Sequence, residues 1–352
     1  MNSKKHILLY GANGYTGQLI IRFAKEKNIS LIIAGRTEKS VQALAEKYNF
    51  EYRIFSLDNI NVIADNLSDI LVVIHAAGPF SRTVQPMVEA CLQTSTHYID
   101  INGDLSVFEM IKKYDQKATD AGVMLLPGAG FDVVPTDCIA MQLKKQMPDA
   151  ISLKLGFITR GSGGLSHGTA TTMAEKLGEG GAARKKGKIV HMPLGHASKN
   201  VNIKGRNYFC MTIPWGDVAT AYYSTGIPDI ETYIRVPKWT YWVLGMQVLF
   251  NWILRRKVVR KIIQKKIDTR PAGPTDEQRE KSSIYVWGEA INEAGRITTS
   301  RLICKEGYTF TALSCLWIAI QITSGNFKPG YQTPSMAYGE KMVYEIEGSI
   351  SL

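Results

Sequence analysis

The sequence contains few cysteines, and no two of them lie close together. The chain has 352 residues but only five cysteines, an odd number without a CxxC pair. This pattern fits reduced cytoplasmic thiols better than a disulfide framework or a zinc site, so we predict no metal. The five are Cys91, Cys138, Cys210, Cys304 and Cys315.

Long hydrophobic runs are also missing. The longest apolar tract, Trp239 to Leu254, has 16 residues and is interrupted by polar ones, whereas a membrane span needs about 20. The apolar run at the start, Ile7 to Tyr10, stops at Gly11 and is too short for the core of a signal peptide. We therefore predict a cytoplasmic chain without a transmembrane helix, whose N-terminus belongs to the fold.

The overall composition is that of a globular protein. Hydrophobic residues make up 45% of the chain and charged residues 21%, which excludes disordered, collagen-like and coiled-coil classes. The length suits one large domain or two ordinary ones, and such a chain buries a sizeable core without disulfides.

The positive charge is regional. The formal net charge is +11, and residues 184–266 hold 16 basic but only 3 acidic residues. Such a segment is typical of proteins that meet nucleic acid, an anionic membrane, or a phosphorylated or acyl-carrier substrate. No zinc-finger or RRM motif accompanies it, so we predict no nucleic-acid partner.

The first ~130 residues alternate short apolar strands with amphipathic helices. Helical spacing of apolar residues predicts helices over 15–25 and 41–48. Short apolar runs between amphipathic helices indicate a parallel sheet covered on both faces, an α/β fold of the doubly wound Rossmann type. The predicted strands are 7–10, 31–34, 53–55, 71–74, 97–101 and 123–126.

The pattern changes after Leu126. A glycine-rich loop, 127–132, leads into a predicted helix over 136–147 and an alternating strand over 151–157. Two strands joined by the turn Asn292-Glu293-Ala294-Gly295 predict an antiparallel hairpin. We infer a second, α+β domain over 136–321 that follows the first domain, 1–135.

The sharpest motif lies directly between the first strand and the first helix. Its glycines permit a tight turn, a close approach of the backbone to a pyrophosphate, and close packing of helix on sheet. Free N–H groups at the helix start then hold the anion. The alternative is an ordinary glycine-rich turn. The motif is Gly11-Ala12-Asn13-Gly14-Tyr15-Thr16-Gly17.

The end of the second strand indicates which dinucleotide binds. NAD-selective sites usually place Asp or Glu near this position, but the sequence here has Arg36 and Thr37. A guanidinium pairs with a 2′-phosphate and stacks on adenine, which predicts NADP, although Arg36 as a solvated strand end is the alternative. Asp58, after the third strand, suits either the adenine edge or the N-cap of a helix.

The fourth strand ends in a run of small residues. Ala76, Ala77 and Gly78 leave room for a ribose and nicotinamide across the strand ends, and Pro79 with Phe80 would wall the ring. In open α/β sheets, ligands bind at these carboxyl ends.

Taken in order, the motifs GANGYTG, AGR, HAAGPFS, THYIDINGD and PGAGFDVVPTD resemble those of the saccharopine dehydrogenase-like oxidoreductases. The branch that contains trans-acting enoyl reductases is the more similar one. The resemblance implies a Rossmann domain for NADP, hydride-transfer chemistry, and a return of residues 322–352 to the first domain. We find no clear match to the Lys and His pair expected of enzymes that make or split saccharopine, which argues against amino-acid dehydrogenation.

Three residues are predicted to take part in catalysis. Tyr98, on a buried strand, is a proton-donor candidate or a core tyrosine, and Asp104 is a site carboxylate or the cap of the next helix. His167, in Ser166-His167-Gly168-Thr169, presents a donor or is a solvated loop histidine. Other candidates near the strand ends are His75, His97, Asp100 and Asp132. For Asp132 and Asp137 the alternative is capping of a helix.

Residues 239–267 combine a tryptophan-rich apolar segment with a basic amphipathic helix. This pattern is typical of a membrane-surface element, of a buried or homodimeric contact, and of a lid over an acyl substrate. The sequence as a whole therefore predicts an NADPH-dependent oxidoreductase that acts on a hydrophobic or acyl-type C=C, C=O or imine substrate. The alternatives are an NADP-binding sensor without turnover and an amino-acid dehydrogenase.

Overall fold

The computed structural model describes residues 5–161, 164–245 and 247–352. The chain divides into two compact units. The first comprises Met1–Val134 and Gly307–Met342, and the second Pro135–Glu306 and Val343–Leu352. Residues 1–4, 162–163 and 246, which fall within the predicted segments 1–135, 136–321 and 239–267, lie outside the described residues.

The strands are numbered in chain order. They are β1 (His6–Tyr10), β2 (Ile32–Gly35), β3 (Glu51–Ile54), β4 (Ile70–His75), β5 (His97–Asp100), β6 (Met124–Leu126), β7 (Ala150–Arg160), β8 (Gly181–Lys185), β9 (Lys188–Met192), β10 (Ser198–Ile203), β11 (Arg206–Ile213), β12 (Asp229–Arg235), β13 (Ser283–Asn292), β14 (Ile297–Lys305), β15 (Gly330–Tyr331) and β16 (Ile350–Ser351).

The helices are numbered in the same way. They are α1 (Tyr15–Glu26), α2 (Glu38–Tyr48), α3 (Ile60–Leu67), α4 (Phe80–Thr94), α5 (Leu105–Lys112), α6 (Asp115–Asp120), α7 (Val134–Gln146), α8 (His167–Glu175), α9 (Asp217–Thr225), α10 (Lys238–Gly245), α11 (Gln247–Leu254), α12 (Lys257–Asp268), α13 (Asp276–Glu280), α14 (Gly307–Thr323) and α15 (Pro334–Tyr338). A 3-10 turn spans Met342–Glu345.

The first unit is built on a parallel sheet in the order β15-β6-β5-β4-β1-β2-β3. Its central strands are apolar and buried because helices cover both faces, whereas the edge strand β3 is largely exposed. Tyr10 lies opposite both Ala34 and His75, and His75 lies opposite Asp100. The register therefore brings the carboxyl ends of β1, β2, β4 and β5 to one edge, and the predicted Rossmann-type fold is confirmed.

The return to the first unit begins earlier than position 322. Helix α14 is buried almost all round and packs against α1, β4 and β5. A helix without a polar face needs burial on every side, and the first unit provides it. The predicted boundary at 321/322 therefore differs from the observed one at 306/307, and residues 343–352 group with the second unit.

The second unit contains a mixed sheet in the order β10-β11-β12-β7-β13-β14-β16, with β8 and β9 attached at β12. The predicted hairpin is present as β13 and β14, joined by the turn at 292–297. One face of this sheet carries an aromatic core that includes Tyr208, Tyr233, Tyr285 and Trp287. Gly156 lies beneath Trp287, where a Cβ atom would come within 2.8 Å of the indole.

The described residues contain no helix long and apolar enough to cross a membrane. All five cysteines are free and buried. In the same described part of the chain, no group of three His, Cys, Asp or Glu side chains is arranged to hold a metal ion.

Candidate functional site

The loop between β1 and α1 turns tightly at Gly11. Gly11 has φ +95°, and the N–H groups of Gly11 and Ala12 both donate to the Ala34 carbonyl, at 2.9 and 3.1 Å. A Cβ atom on Gly11 would lie 2.7 Å from the carbonyl carbon of Ala76. Glycine is therefore required for two reasons, the left-handed backbone and the approach of the β4 end.

The other two glycines of the loop differ in their surroundings. A Cβ atom on Gly17 would overlap the Gly11 carbonyl oxygen and lie 3.0 Å from that of Ala12. A Cβ atom on Gly14 would have the Gly11 and Ala76 carbonyl oxygens as neighbours, at 3.3 and 4.0 Å, and Gly14 itself is exposed. Gly17 thus allows α1 to pack closely on the backbone of the glycine loop. Gly14 leaves the start of α1 accessible to a ligand.

The start of α1 is suited to an anion. Its N-cap is Gly14, which has no side chain, and the first turn carries no acidic residue. The first N–H groups of a helix have no partner within the helix, and the dipole places positive charge there. The residues present therefore fit a dinucleotide pyrophosphate.

Arg36 stands at the end of β2, fully on the surface. Within the described residues no acidic side chain pairs with its guanidinium, which leaves it available for a phosphate. Burial raises the pKa of the neighbouring Tyr10 to about 12, with a smaller lowering effect from Arg36 and a raising effect from Asp58. Arg36 and Asp58 therefore both lie near the Tyr10 hydroxyl, which donates to the Phe55 carbonyl at 3.0 Å.

The N-cap of α3 is Asn59, not Asp58. The Asn59 Oδ1 atom accepts from the Asn61 N–H at 2.9 Å, while Asp58 is exposed one residue earlier. The capping alternative for Asp58 is therefore wrong. Thr37 holds the N-cap position of α2 without a side-chain cap bond.

The segment after β4 is short and fixed at both ends. The Ala76 N–H donates to the Tyr10 carbonyl at 2.8 Å, and the Thr83 hydroxyl donates to the Ala77 carbonyl at 2.7 Å. The Gly78–Pro79 peptide is cis. Pro79 caps α4, and the Phe80 ring lies 5.6 Å from the His75 ring, centroid to centroid.

A buried polar network joins the ends of β4, β5 and β6. The Tyr98 hydroxyl donates to Asp100 Oδ2 at 2.7 Å and lies 3.2 Å from His75 Nδ1. Asp100 Oδ1 accepts from the Asn102 N–H, the Asn102 amide and the Gly128 N–H, at 3.0, 2.7 and 2.8 Å. One carboxyl group therefore fixes the positions of two loops.

Burial sets the protonation of this network. It lowers the pKa of His75 to about 3, against a smaller raising effect of the Ala77 backbone, so the imidazole is neutral at pH 7. Burial, with the Asp100 charge, raises the pKa of Tyr98 far above its ordinary value. A phenol that holds its proton this firmly is a poor acid, so the geometry favours the core alternative for Tyr98 over the catalytic one.

Asp104 caps α5. Its Oδ1 atom accepts from the N–H and the hydroxyl of Ser106 at 2.9 and 2.8 Å, which matches the capping alternative. His97 is also structural, because its Nδ1 atom accepts from the Met124 N–H at 3.0 Å.

Asp132 lies on the loop that follows β6. Its carboxyl group packs against Gly103, where a Cβ atom would lie 2.6 Å from the Asp132 Oδ2 atom. Burial raises the pKa of Asp132 to about 7. A carboxyl group with this pKa, on a loop at the carboxyl edge of the sheet, is a candidate proton donor or acceptor.

The loop 127–132 is held by α14. The Phe131 N–H donates to the Thr311 hydroxyl at 2.9 Å, and the Ser314 hydroxyl donates to the Ala129 carbonyl at 2.6 Å. Thr311 and Ser314 are absent from the predicted site residues, because about 180 positions of sequence separate them from the loop. Asn102 is also absent, although it contacts Asp100 only two residues away. The local signal in α14 is weak, since the helix carries other hydroxyl residues as well.

His167 belongs to the second unit, at the start of α8. Its Nε2 atom lies 2.9 Å from Asp268 Oδ1, and both side chains are about half exposed. Ser166 caps α8 through the Thr169 N–H. The contacts described for His167 are thus those of a partly exposed histidine of α8 that pairs with Asp268 of α12, and its catalytic role stays a prediction.

Comparison with known proteins agrees with an NADP-binding domain at the start of the chain. Residues 7–126 match the family model of the saccharopine dehydrogenase NADP binding domain. These residues are a saccharopine dehydrogenase NADP-binding domain. The resemblance and the NADP cofactor predicted from the motifs are confirmed for these residues, because the matching model is that of an NADP-binding domain of an oxidoreductase family.

Relatives support the same assignment at low identity. A "Lipid droplet localized protein" of Caenorhabditis elegans is 23% identical over 99% of this chain and 97% of its own. A mouse saccharopine dehydrogenase-like oxidoreductase is 28% identical over 51% of this chain, which spans 48% of that protein. A trans-acting enoyl reductase of Mycobacterium ulcerans is 27% identical over 37% of this chain and 33% of its own.

The fold extends beyond the NADP-binding domain. The apo saccharopine dehydrogenase (L-Glu forming) of Saccharomyces cerevisiae superposes with a TM-score of 0.67 at 14% identity, covering 99% of each chain. At this identity the likeness concerns the fold alone.

Proposed function

We propose that this chain uses NADPH to reduce a C=C, C=O or imine bond of a hydrophobic or acyl-type substrate. The observation that carries the proposal is the meeting, at one edge of the first sheet, of the open glycine loop, the unpaired Arg36 and a carboxyl group, Asp132, with a pKa of about 7. The small residues after β4 lie at the same edge.

Each part of this edge has a task in binding. The N–H groups at the start of α1 hold the pyrophosphate, Arg36 pairs with the 2′-phosphate, and Asp58 lies beside the adenosine end. Ala77, Gly78 and Pro79 leave space for the nicotinamide end. NADPH, when bound, supplies the hydride.

Reduction also needs a proton, and Asp132 is placed to provide it. With a pKa of about 7, its carboxyl group is protonated in about half of the molecules at neutral pH. Asp100 serves the structure instead, because its fully buried carboxyl group accepts four hydrogen bonds that hold two loops. Asp132 therefore replaces Tyr98 and Asp104 as the proposed proton donor.

Three observations support a hydrophobic substrate rather than an amino acid. The second unit exposes large apolar side chains on α10 and α11, and one group of relatives is named enoyl reductase. The Lys and His pair expected of saccharopine chemistry has no clear counterpart in the sequence.

The experiment is a substrate screen with the purified full chain. Enoyl thioesters, ketones, imines and lysine or glutamate derivatives are each mixed with NADPH, and cofactor oxidation is followed by fluorescence. We expect turnover with enoyl thioesters or ketones, and a loss of about 100-fold or more in kcat for Asp132→Asn. Turnover only with the amino-acid derivatives would overturn the proposal, and tight NADP binding without any turnover would favour the sensor alternative.

We further propose that the chain associates with a phospholipid surface through α10 to α12. Trp239, Trp242 and Val258 are 69%, 73% and 68% exposed, and Trp252 and Ile262 are exposed as well. Arg255, Arg256, Lys261, Lys265 and Lys266 are exposed beside them. Exposed tryptophan and aliphatic side chains among basic residues suit the interface of an anionic lipid surface.

The exposed apolar side chains of α12 do not take part in the packing of this helix on α8. Helix α12 packs on α8, where Ile267 is buried and Gln264 donates to the Thr171 hydroxyl at 3.0 Å. Val258 and Ile262 remain outside that contact. The name of the nematode relative, a lipid droplet localized protein, is consistent with a lipid partner.

Flotation with vesicles tests this proposal. Wild type should float with vesicles that contain phosphatidylserine, less so at high salt, and a Trp239→Ser, Trp252→Ser variant should float several-fold less. Ile297→Ser, which removes a 56% exposed aliphatic residue from the hairpin, is the matched control and should float like wild type. Equal flotation of all three proteins would exclude this surface as the lipid contact.

A further inference from the structure

Four neighbouring strands of the second sheet place polar residues at one edge. In the sheet order β11-β12-β7-β13, β12 and β7 run parallel, while β11 and β13 run opposite to them. β12 ends at Arg235 and β7 at Arg160, whereas β11 begins at Arg206 and β13 at Ser283. These four strand termini therefore lie at the same end of the second sheet.

The alternation of side chains places these residues on one face. Arg206 is two residues from Tyr208, Arg235 two from Tyr233, Arg160 two from Ile158, and Ser283 two from Tyr285. Residues two apart in a strand share a face. The inner residues belong to the aromatic core of this sheet, so the three arginines lie at the rim of that core.

Aromatic rings hold the guanidinium groups in place. Arg160 lies over the Tyr285 ring at 4.9 Å and donates to its hydroxyl at 3.0 Å. Arg206 and Arg235 lie 5.4 and 5.5 Å from the ring centre of Tyr208. Arg235 also donates to the Thr159 carbonyl at 3.3 Å. Stacking of this kind orients a guanidinium without neutralising it, which leaves the remaining donors for a ligand.

The three arginines have no acidic partner in the described part of the chain. Elsewhere on the same sheet the acids are paired: Glu289 contacts Lys154 and Lys199, and Glu231 contacts Lys185. The nearby Lys281 pairs with Glu277 at 2.5 Å, but both side chains are more than 70% exposed, so this pair contributes little. Positive charge is therefore concentrated at this edge.

The arginines surround a pocket of about 360 Å³, lined by Arg160, Gly161, Arg206, Tyr208, Arg235, Lys281 and Ser283. We propose that this pocket, the arginine basin, binds the phosphate group of a ligand. Several guanidinium groups around one cavity match the charge and the oxygen geometry of a phosphate, and the Ser283 hydroxyl adds a further hydrogen-bonding group.

Two classes of ligand carry such a phosphate group, namely soluble phosphate compounds and phospholipid headgroups. The second is relevant because α10 begins three residues after Arg235, and its Tyr241 packs on Phe209 of β11, with ring centres 5.4 Å apart. The proposal goes beyond NADP binding, because all residues of the basin belong to the second unit.

Calorimetric titration with inorganic phosphate and with glycerol 3-phosphate tests the soluble source. The Arg160→Gln, Arg235→Gln double variant should bind at least ~10-fold more weakly than wild type, because two charge-assisted contacts are lost. Arg296→Gln removes the same charge from an exposed arginine at the opposite end of β13 and should change the affinity less than about twofold. The glycine loop is unchanged in all three proteins, so the difference reports the basin.

Vesicle flotation tests the lipid source with the same three proteins. One set of vesicles carries phosphatidic acid, and a second set carries phosphatidylserine at the same total charge. The comparison separates recognition of the headgroup from the electrostatic attraction of the basic helix α12 to any anionic vesicle. A preference for phosphatidic acid that the double variant loses and Arg296→Gln keeps would identify a headgroup. If wild type and the double variant behave alike with both soluble phosphates and with both vesicles, the proposal is wrong.

NADP titration of the same samples keeps this result separate from the proposed function. We expect equal NADP affinity in all three proteins, which also shows that the first unit is folded. Loss of phosphate binding with NADP binding intact supports the basin, and a failure of NADP binding in wild type would overturn only the oxidoreductase proposal.

Discussion

At the scale of single residues, the glycines of the β1–α1 loop separate binding from stability. Gly14→Ala adds a methyl group with one neighbour at 3.3 Å and an ordinary φ of −71°, so the fold should lose less than about 1 kcal/mol. The methyl group occupies the surface that the pyrophosphate approaches, and NADP should bind at least ~10-fold more weakly.

Gly17→Ala is the matched control for that substitution. Its methyl group would overlap backbone carbonyl oxygens that have no room to move, so the loss of stability should be about 2–3 kcal/mol. Urea unfolding gives the stabilities, and fluorescence titration gives the NADP affinities. The assignment of Gly14 fails if Gly14→Ala binds NADP as tightly as wild type.

The second residue-scale prediction concerns Arg36. Because its guanidinium has no acidic partner in the described chain, it can pair with the 2′-phosphate. Wild type should bind NADPH at least ~10-fold tighter than NADH, about 1.4 kcal/mol, and Arg36→Gln should abolish most of this difference. Titration of both proteins with both cofactors measures it. Equal affinities for the two cofactors in wild type would refute the role of Arg36.

The third concerns Asp132, whose pKa is raised by burial from 3.8 to about 7. Between these values the folded state keeps a proton that the unfolded state has released, so the free energy of unfolding falls as pH rises and levels off above about 7. Asp132→Asn has no titrating group at this position, so its free energy of unfolding does not fall in this way as pH rises. Its stability relative to wild type should therefore increase between pH 4 and pH 7, as urea unfolding across that range would measure, and a constant difference would contradict the raised pKa.

At the scale of elements, Asp104 tests whether a helix cap is also a catalytic group. Asp104→Ala removes the bond to the Ser106 N–H and should cost about 1 kcal/mol, whereas Asp104→Asn keeps an accepting oxygen and should cost much less. If capping is the whole role, Asp104→Asn also keeps its kcat. A large loss of kcat in Asp104→Asn at unchanged stability would restore the catalytic role predicted from the sequence.

The elements also show where periodicity is informative. The six predicted strands and the two predicted helices of the first unit lie within about three residues of their predicted bounds, because their apolar spacing reflects burial in a parallel sheet. Helix α14 is apolar on all sides, so its pattern does not reveal which unit buries it. The predicted homodimer and the catalytic role of His167 stay predictions.

At the scale of the whole molecule, the chain contributes to the two units in four segments. The last of these, 343–352, places Val343 and Ile346 in the core of the second unit and adds β16 to its sheet. Val343→Ala should therefore lower the stability of the second unit by about 2 kcal/mol and leave NADP affinity unchanged, since the cofactor residues lie in the first unit. Calorimetry and NADP titration check both parts, and a loss of NADP affinity would contradict this division.

The NADP-binding domain of this protein is predictable from the sequence alone. The roles predicted for the loop glycines and Arg36 depend on neighbouring sequence only, because a strand, a turn and a helix start that adjoin in the chain also adjoin in space. The glycines are Gly11, Gly14 and Gly17. The tertiary structure decided what depends on distant residues. Burial raises the pKa of Asp132, α14 holds its loop, and the arginine basin collects residues from four strands, since desolvation and charge proximity arise only when separate segments pack together.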